Sequence, residues 1–176
     1  MSRITLAAAL TATLSSAAGA QALPKATLLA DWERDKGNVL AYVDAMPDSA
    51  LKFRPTPGVR DFAEQIDHIV STNLEVAARV LRGASNIPAL GDSTKFLKSK
   101  SALKAYAAAT YDYVLTALRE ATPAQLLKES KLFGFPLAPA WRWLELSHEH
   151  SVWTLGQTIP YLRLNRVKPP AYNMPF

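Results

Sequence analysis

The chain has 176 residues, of which 49% are apolar, and a formal net charge of +5. That length and apolar content suit one domain with a single hydrophobic core. The charges are spread along the sequence without a block of like sign, so the chain has no tail suited to nucleic acid or anionic lipid, and nucleic acid is not an expected partner. There is no cysteine. Any metal ion would therefore be held by nitrogen and oxygen ligands.

Residues 1–22 have the composition of a bacterial secretory signal. Arg3 supplies a positive charge, residues 4–14 form an apolar run rich in Ala and Leu, and residues 15–22 are small and include Ala-x-Ala cleavage sites. The apolar run is too short to span a bilayer. The sequence therefore predicts cleavage after Ala22, a mature domain of residues 23–176 without stable membrane insertion, and a periplasmic or secreted location.

Mass spectrometry of protein taken from a periplasmic extract checks this expectation. The mature chain should begin at Leu23 or, with the alternative Ala-x-Ala site, at Gln21. Soluble cytoplasmic protein that still carries Met1 would contradict it.

The remainder of the chain reads as amphipathic helices joined by proline-marked loops. A first stripe of mostly apolar residues at helical spacing runs from Leu29 to Met46 and ends before Pro47. A second stripe precedes Gly83, which is the predicted end of that helix. Its members are Phe62, Ile66, Ile69, Asn73, Ala77 and Val80.

Two further helices follow a polar loop. Ser101 is the predicted cap of the third helix. The inward stripe expected for that helix is Leu103, Ala107, Thr110, Val114 and Leu118. The segment 122–125 has the form of a capping box with proline at the first helical position, which predicts a short extra helix. The last helix is expected from about Ala138 to Asn165, with a kink at Pro160. Since no segment shows strand-like alternation, we predict an all-α four-helix bundle.

Two separated motifs resemble the DinB/YfiT family of four-helix bundles. The first is Phe53-Arg54-Pro55-Thr56-Pro57-Gly58 followed by Phe62-Ala63-Glu64-Gln65-Ile66-Asp67-His68. The second is the C-terminal stretch from His148 to Gln157, which contains Gly156-Gln157 and runs into Tyr161-Leu162-Arg163. The resemblance covers nearly the whole mature chain. It implies a bundle in which a divalent metal lies on three histidines, and it implies pairing of two copies through exposed helices.

The resemblance places the metal ligands on particular residues. One ligand from the second helix falls on His68, and the first of a His-x-x-x-His pair in the last helix falls on His150. The second residue of that pair is Thr154 here, so the implied site lacks one histidine. Glu64 lies one turn before His68, and either Glu64 or water is the predicted replacement. The implied metal is zinc, nickel or manganese, and the alternative is a degenerate site that binds none.

Helical geometry gives the three histidines different faces. His148 falls on the apolar stripe of the last helix with Trp141, Leu144 and Val152, whereas His150 lies about 200° away among aromatic and polar residues. His68 also lies off its apolar stripe. On geometry alone both histidines could be solvated, and only the family motif predicts that they share a pocket. The four tryptophans are interpreted as core or boundary packing.

Two functions of different classes remain open. One is an exported metal enzyme, a hydrolase or thiol transferase, in which a metal at His68 and His150 generates a nucleophile for a small-molecule substrate. The other is a non-catalytic bundle that binds a small apolar molecule or a partner helix. Thr154 favours the second function. The polar set formed by Glu64, His68, His150 and Gln157 favours the first.

Overall fold

The structure is a computed structural model that describes residues 24–174. Four long helices form a bundle: α1 (Lys25–Ala45), α2 (Phe62–Arg82), α4 (Lys100–Glu120) and α6 (Ala140–Gln157). Helices α1 and α6 run in one direction, and α2 and α4 run in the other. The shorter elements are a 3-10 helix (Asp48–Ala50), α3 (Ser93–Phe96), α5 (Pro123–Leu127), α7 (Ile159–Leu164), and two-residue strands β1 (Glu129–Ser130) and β2 (Ala138–Pro139). The all-α bundle is confirmed. The expected signal and its cleavage site lie outside the described residues.

Helix α2 begins and ends as its sequence predicts. The Asp61 carboxylate accepts a hydrogen bond from the Glu64 amide, and the Glu64 carboxylate accepts one from the Asp61 amide, which together form a capping box. At the other end Gly83 adopts φ 62°, a left-handed conformation in which glycine carries no steric penalty. All six residues of the expected stripe are buried. The start of α2 is therefore fixed about two turns before His68.

Helix α4 has the expected inward face but a different cap. Its five predicted stripe residues are all fully buried. The cap is Ser99, whose hydroxyl accepts a hydrogen bond from the Ala102 amide, so the helix starts at Lys100 and not after Ser101. The Lys100 ammonium, in turn, donates to the Met46 carbonyl near the end of α1. This contact ties the beginning of α4 to the neighbouring helix.

The last helical segment is broken where proline predicts it. Helix α6 ends at Gln157, Thr158 intervenes, and α7 starts at Ile159 with Pro160 in its first turn. Proline has no amide hydrogen to donate, and its ring opposes continuation of the preceding helix. The predicted extra helix is also present as α5, with the Thr122–Gln125 capping box.

A small hairpin before α6 was not predicted. Strands β1 and β2 pair antiparallel, with Ser130 opposite Ala138, and α6 consequently begins at Ala140. Strands of two residues are too short to produce a period-two pattern, which is why the sequence does not reveal them. The loop between them, residues 131–137, becomes one wall of the site described below.

The buried face of α6 is displaced from the predicted apolar stripe. Leu144, Leu155 and the more distant Leu162 are buried as expected, but so are Ser147 and Ser151. Ranking positions by apolarity places small polar residues on the surface, and here they face the core because other helices offer them hydrogen-bond partners.

Those partners form a polar network in the middle of the bundle. The Tyr111 hydroxyl and the Ser151 hydroxyl both donate to one carboxylate oxygen of Asp35, at 2.7 and 2.6 Å. Asn73 donates to the Tyr111 oxygen, and Ser147 donates to the Asn73 carbonyl oxygen at 2.8 Å. Asp35 is fully buried, and this burial raises the pKa of its carboxyl group. The network joins α1, α2, α4 and α6.

Among residues 24–174, no helix is both long enough and apolar enough to cross a membrane.

Candidate functional site

His68 on α2 and His150 on α6 face each other across the flank of the bundle. Their Nε2 atoms are 3.1 Å apart, a hydrogen bond in which one ring donates and the other accepts. The rings are nearly perpendicular, with centroids 4.8 Å apart. Both side chains are half-buried. The structure therefore brings together the two histidines that the family motif placed in one pocket.

Thr154 lies beside this pair. Its hydroxyl oxygen is 3.4 Å from His150 Nε2, one helical turn along α6, and the residue is buried. A second contact between the same two helices is the hydrogen bond of 3.2 Å that Gln65 of α2 donates to the Gln157 side chain of α6. The position expected for a third imidazole is thus filled by a short neutral hydroxyl.

Glu64 has partners away from the histidines. Its carboxylate accepts from the Asp61 amide at 2.9 Å and forms an ion pair of 2.9 Å with Arg54. The hydrogen bond from the Asp61 backbone lowers the pKa of this carboxyl group, and the Arg54 charge lowers it further. To act as a metal ligand, Glu64 would have to give up the capping box that starts α2.

The two paired histidines resist protonation. Burial lowers the pKa of both imidazoles, and the positive charge of Arg60, just before α2, lowers both further. The charge of His150 also lowers the pKa of His68. Neutral imidazoles can donate and accept hydrogen bonds or bind metal through a lone pair.

The donor set does not complete the three-histidine site that the resemblance implies. Two imidazole nitrogens bound at ~2.0–2.1 Å with tetrahedral angles would lie ~3.3 Å apart, close to the 3.1 Å observed. However, no group of three His, Cys, Asp or Glu residues in the described part of the chain is placed to hold a metal ion. His150 Nδ1 is buried without a hydrogen-bond partner, whereas a metal-bound imidazole normally donates through its other nitrogen. The residues present therefore supply two of the three ligands that the resemblance implies, and the third is missing.

His148 takes a different position, as its place on the helix predicts. It packs near Trp32 of α1, with ring centroids 6.1 Å apart, on another side of α6 from His150. It is half-buried and lies at the edge of the core. His148 is thus separate from the histidine pair.

An apolar pocket opens directly beside His150. It has a volume of about 450 Å³ and lies between α2, α6 and the hairpin loop. Its aromatic walls are Phe133, Phe135 and Trp143, and its polar members are Thr72, Arg142, Ser147 and His150. This volume and composition are typical of small-molecule sites in proteins. The histidine pair therefore lies at one side of a cavity large enough for an aromatic or short aliphatic molecule.

Sequence reasoning did not find the hairpin residues that build this pocket. Phe133, Phe135 and Leu137 are all more than half exposed, an unusual clustering of large apolar side chains on a surface. The sequence does contain a signal for this wall: three large apolar residues alternate with Gly134 and Pro136 in a segment that has no helical period. The Trp143 indole fixes the base of this wall by donating a hydrogen bond of 2.9 Å to the Ser130 carbonyl in β1.

The fold and this arrangement define a class of protein. The sequence model of the DinB superfamily matches residues 31–157, which cover all of α2 and α6 and so both histidines. The chain belongs to the DinB superfamily.

Two solved structures are similar to it. A DinB-like protein from Bacillus subtilis shares 18% sequence identity at a TM-score of 0.67, covering 84% of this chain and 97% of that one. A DinB-like protein from Bacillus cereus shares 21% identity at a TM-score of 0.64, covering 83% and 95%. No curated protein matches the chain. At these identities the likeness to the solved structures supports the fold alone.

The lowered pKa values predict how acid affects stability. The pKa values of His68 and His150 in the native state lie below the ordinary value of ~6.5. At acidic pH the unfolded state therefore binds more protons than the native state, and the free energy of unfolding decreases as pH falls below ~6.5. Urea unfolding at pH 7.5 and 5.5 should show this loss, and His68→Asn or His150→Asn should reduce it. Gln157→Asn, which removes no imidazole, should keep it. Histidine midpoints above 6.5 by NMR would contradict the prediction.

Proposed function

We propose that this protein binds a small, largely apolar molecule in the pocket beside His150, with a polar group of the ligand bonded to the histidine pair. The supporting observation is the continuity between the two parts of the site. His150 belongs both to the pocket wall and to the pair, and its Nδ1 atom is buried without a partner. A buried nitrogen left without a hydrogen bond costs about 1–3 kcal/mol, which a ligand hydroxyl or carbonyl would recover.

The pocket chemistry narrows the ligand class. Apart from its few polar members the lining is apolar and aromatic, and the exposed side chains Phe133, Phe135 and Leu137 would lose contact with water when a ligand is bound. Burial of apolar surface is worth roughly 25 cal/mol per Å². The imidazoles are neutral near pH 7, because burial and Arg60 lower their pKa values. We therefore infer a ligand with one aromatic or branched aliphatic group and a single hydroxyl or carbonyl.

The probe 2-naphthol, compared with naphthalene, tests this proposal. Isothermal titration or intrinsic fluorescence should show saturable 2-naphthol binding, with naphthalene weaker because it cannot bond to His150. The double variant Phe135→Ala/Leu137→Ala should bind 2-naphthol about 5- to 10-fold more weakly, because apolar contacts with the ligand are lost. Leu127→Ala, which truncates another leucine that is about half exposed, on α5, is the control. Absence of saturable binding, or equal effects of the pocket and control variants, would overturn the proposal.

A metal-dependent hydrolase or thiol transferase is the second candidate function. The near-tetrahedral spacing of the two Nε2 atoms favours it. A divalent metal bound there would lower the pKa of a water molecule or a thiol that it binds. Because Thr154 stands at the third ligand position and Glu64 is held by Arg54, we derive no reaction step through a metal here. We also propose that the protein acts outside the cytoplasm, on the basis of the signal-like composition of residues 1–22.

A further inference from the structure

A second and larger cavity lies on another side of α6. It has a volume of about 640 Å³ and is formed by α1, α6 and the C-terminal segment. The C-terminal segment is held over it by Asn38, whose side chain accepts from the Asn173 amide at 2.9 Å and donates to the Asn173 carbonyl at 3.4 Å. Tyr172 and Met174 of this segment line the cavity. The histidine pair and its pocket make no part of the lining.

The walls of this cavity are aromatic. Trp32 is fully buried and forms the inner wall, while Trp153 is 73% exposed and forms an outer wall together with Tyr172. The exposure of Trp153 contradicts the expectation that every tryptophan packs in the core or at its boundary. A tryptophan this exposed does not stabilise the fold by burial, and large exposed aromatic surface is typical of binding sites.

The charges around the cavity are mostly negative. Three lining carboxylates, Asp31, Glu145 and Glu149, stand against one lining guanidinium, Arg34. Asp31 is paired with Arg34 at 2.6 Å, and Glu145 is paired with Arg142 at 2.5 Å. Within residues 24–174, Glu149 makes no ion pair and is exposed. The chain as a whole carries a formal net charge of +5, so this local excess of negative charge is opposite to that of the molecule.

Three buried polar atoms of lining residues have no hydrogen-bond partner in the described part of the chain. These are Nε1 of Trp32, Nε of Arg34 and Nε2 of His148. An indole N–H can only donate, so it requires an acceptor, and leaving it unpaired costs about 1–3 kcal/mol. A ligand that carries an acceptor oxygen would remove that cost.

We propose that this cavity binds a small organic cation, a quaternary or protonated amine that also carries a hydroxyl or carbonyl oxygen. Trp153 and Tyr172 provide aromatic faces for the cation, with Glu149 as its counter-charge. Trp32 and His148 provide the hydrogen-bonding groups for the ligand oxygen. The proposal is independent of the function proposed for the His150 pocket, because the two cavities share no residue.

Choline is the probe, since it combines a quaternary ammonium with one hydroxyl. Its neutral isostere 3,3-dimethylbutan-1-ol has the same shape without the charge, and tetramethylammonium has the charge without the hydroxyl. Isothermal titration of the full protein should rank choline above both, with the neutral isostere about 5- to 30-fold weaker. Equal affinity of choline and the isostere would overturn the assignment of a cation. Equal affinity of choline and tetramethylammonium would overturn the assignment of an oxygen contact.

Variants locate the binding. Trp153→Ala and Glu149→Gln alter exposed side chains, so both variants should fold normally. Each should reduce the affinity for choline about 5-fold or more. Glu129→Gln changes an exposed carboxylate on β1, away from the cavity, and should leave binding unchanged. Binding of 2-naphthol should be unaffected by all three. Choline binding that survives Trp153→Ala, or a self-association of the free protein that Trp153→Ala abolishes without any choline binding, would overturn the proposal.

Discussion

Thr154→His is expected to convert the incomplete site into a zinc or nickel site. Thr154 lies one turn after His150 on the same face of α6, and its hydroxyl is 3.4 Å from the His150 Nε2 atom, so a new imidazole would face the existing pair. Metal at about 100 times its Kd stabilises the native state by ~2.7 kcal/mol. For a chain of this size that corresponds to a rise in Tm of roughly 5 to 10 °C. Thermal unfolding with and without zinc, together with metal analysis after dialysis, measures it.

Further variants identify the ligands. In the Thr154→His background, His68→Ala should abolish the gain, whereas His148→Ala should leave metal binding intact because His148 packs against Trp32. The parent protein should bind zinc, nickel and manganese only weakly. Tight binding by the parent that Glu64→Gln weakens would instead show that Glu64 leaves the capping box and completes the site. No gain in the folded Thr154→His protein would contradict the alignment of Thr154 with the family ligand.

Leu155→Asp is expected to cause the largest loss of stability of any single change considered. Leu155 is 1% exposed in the core of α6, and an aspartate there would bury a charge without a partner. The expected cost is about 4 kcal/mol or more in the free energy of unfolding, measured by urea denaturation. Leu164→Asp, the same change at a position that is 61% exposed, should cost less than about 1 kcal/mol. A loss at Leu155 no larger than the loss at Leu164, which lies on α7, would mean that Leu155 does not face the core.

The four long helices and the meeting of His68 with His150 could be predicted from the sequence, for different reasons. The stripes of α2 and α4 are apolar at strict helical spacing, and proline and glycine mark their limits, so local physics predicts them. The convergence of His68 and His150 did not follow from spacing, since helical geometry alone allowed both to face solvent. It followed from a motif, which encodes a tertiary relation that periodicity does not contain.

The polar network inside the bundle could not be predicted from the sequence, for a related reason. Asp35, Ser147 and Ser151 are residues that usually face water, and only the assembled bundle shows that each has a partner on another helix. The predicted stripe of α6 was therefore rotated away from its true buried face. The pocket wall at Phe133 and Phe135 depends on a turn between two-residue strands, and no sequence period describes such a turn.

The packing of α7 means that the family match and the folding unit end at different places. The match stops at residue 157, yet Tyr161 and Leu162 beyond it are buried, and the Tyr161 hydroxyl donates to the Arg60 carbonyl at 2.7 Å. Tyr161 also packs against Phe53 and Phe62, at the entry to the helix that carries His68. A recombinant fragment trimmed to the matched residues would lack Tyr161 and would expose Phe53 and Phe62 to water. Such a fragment is expected to aggregate, so ligand assays require a chain that includes α7.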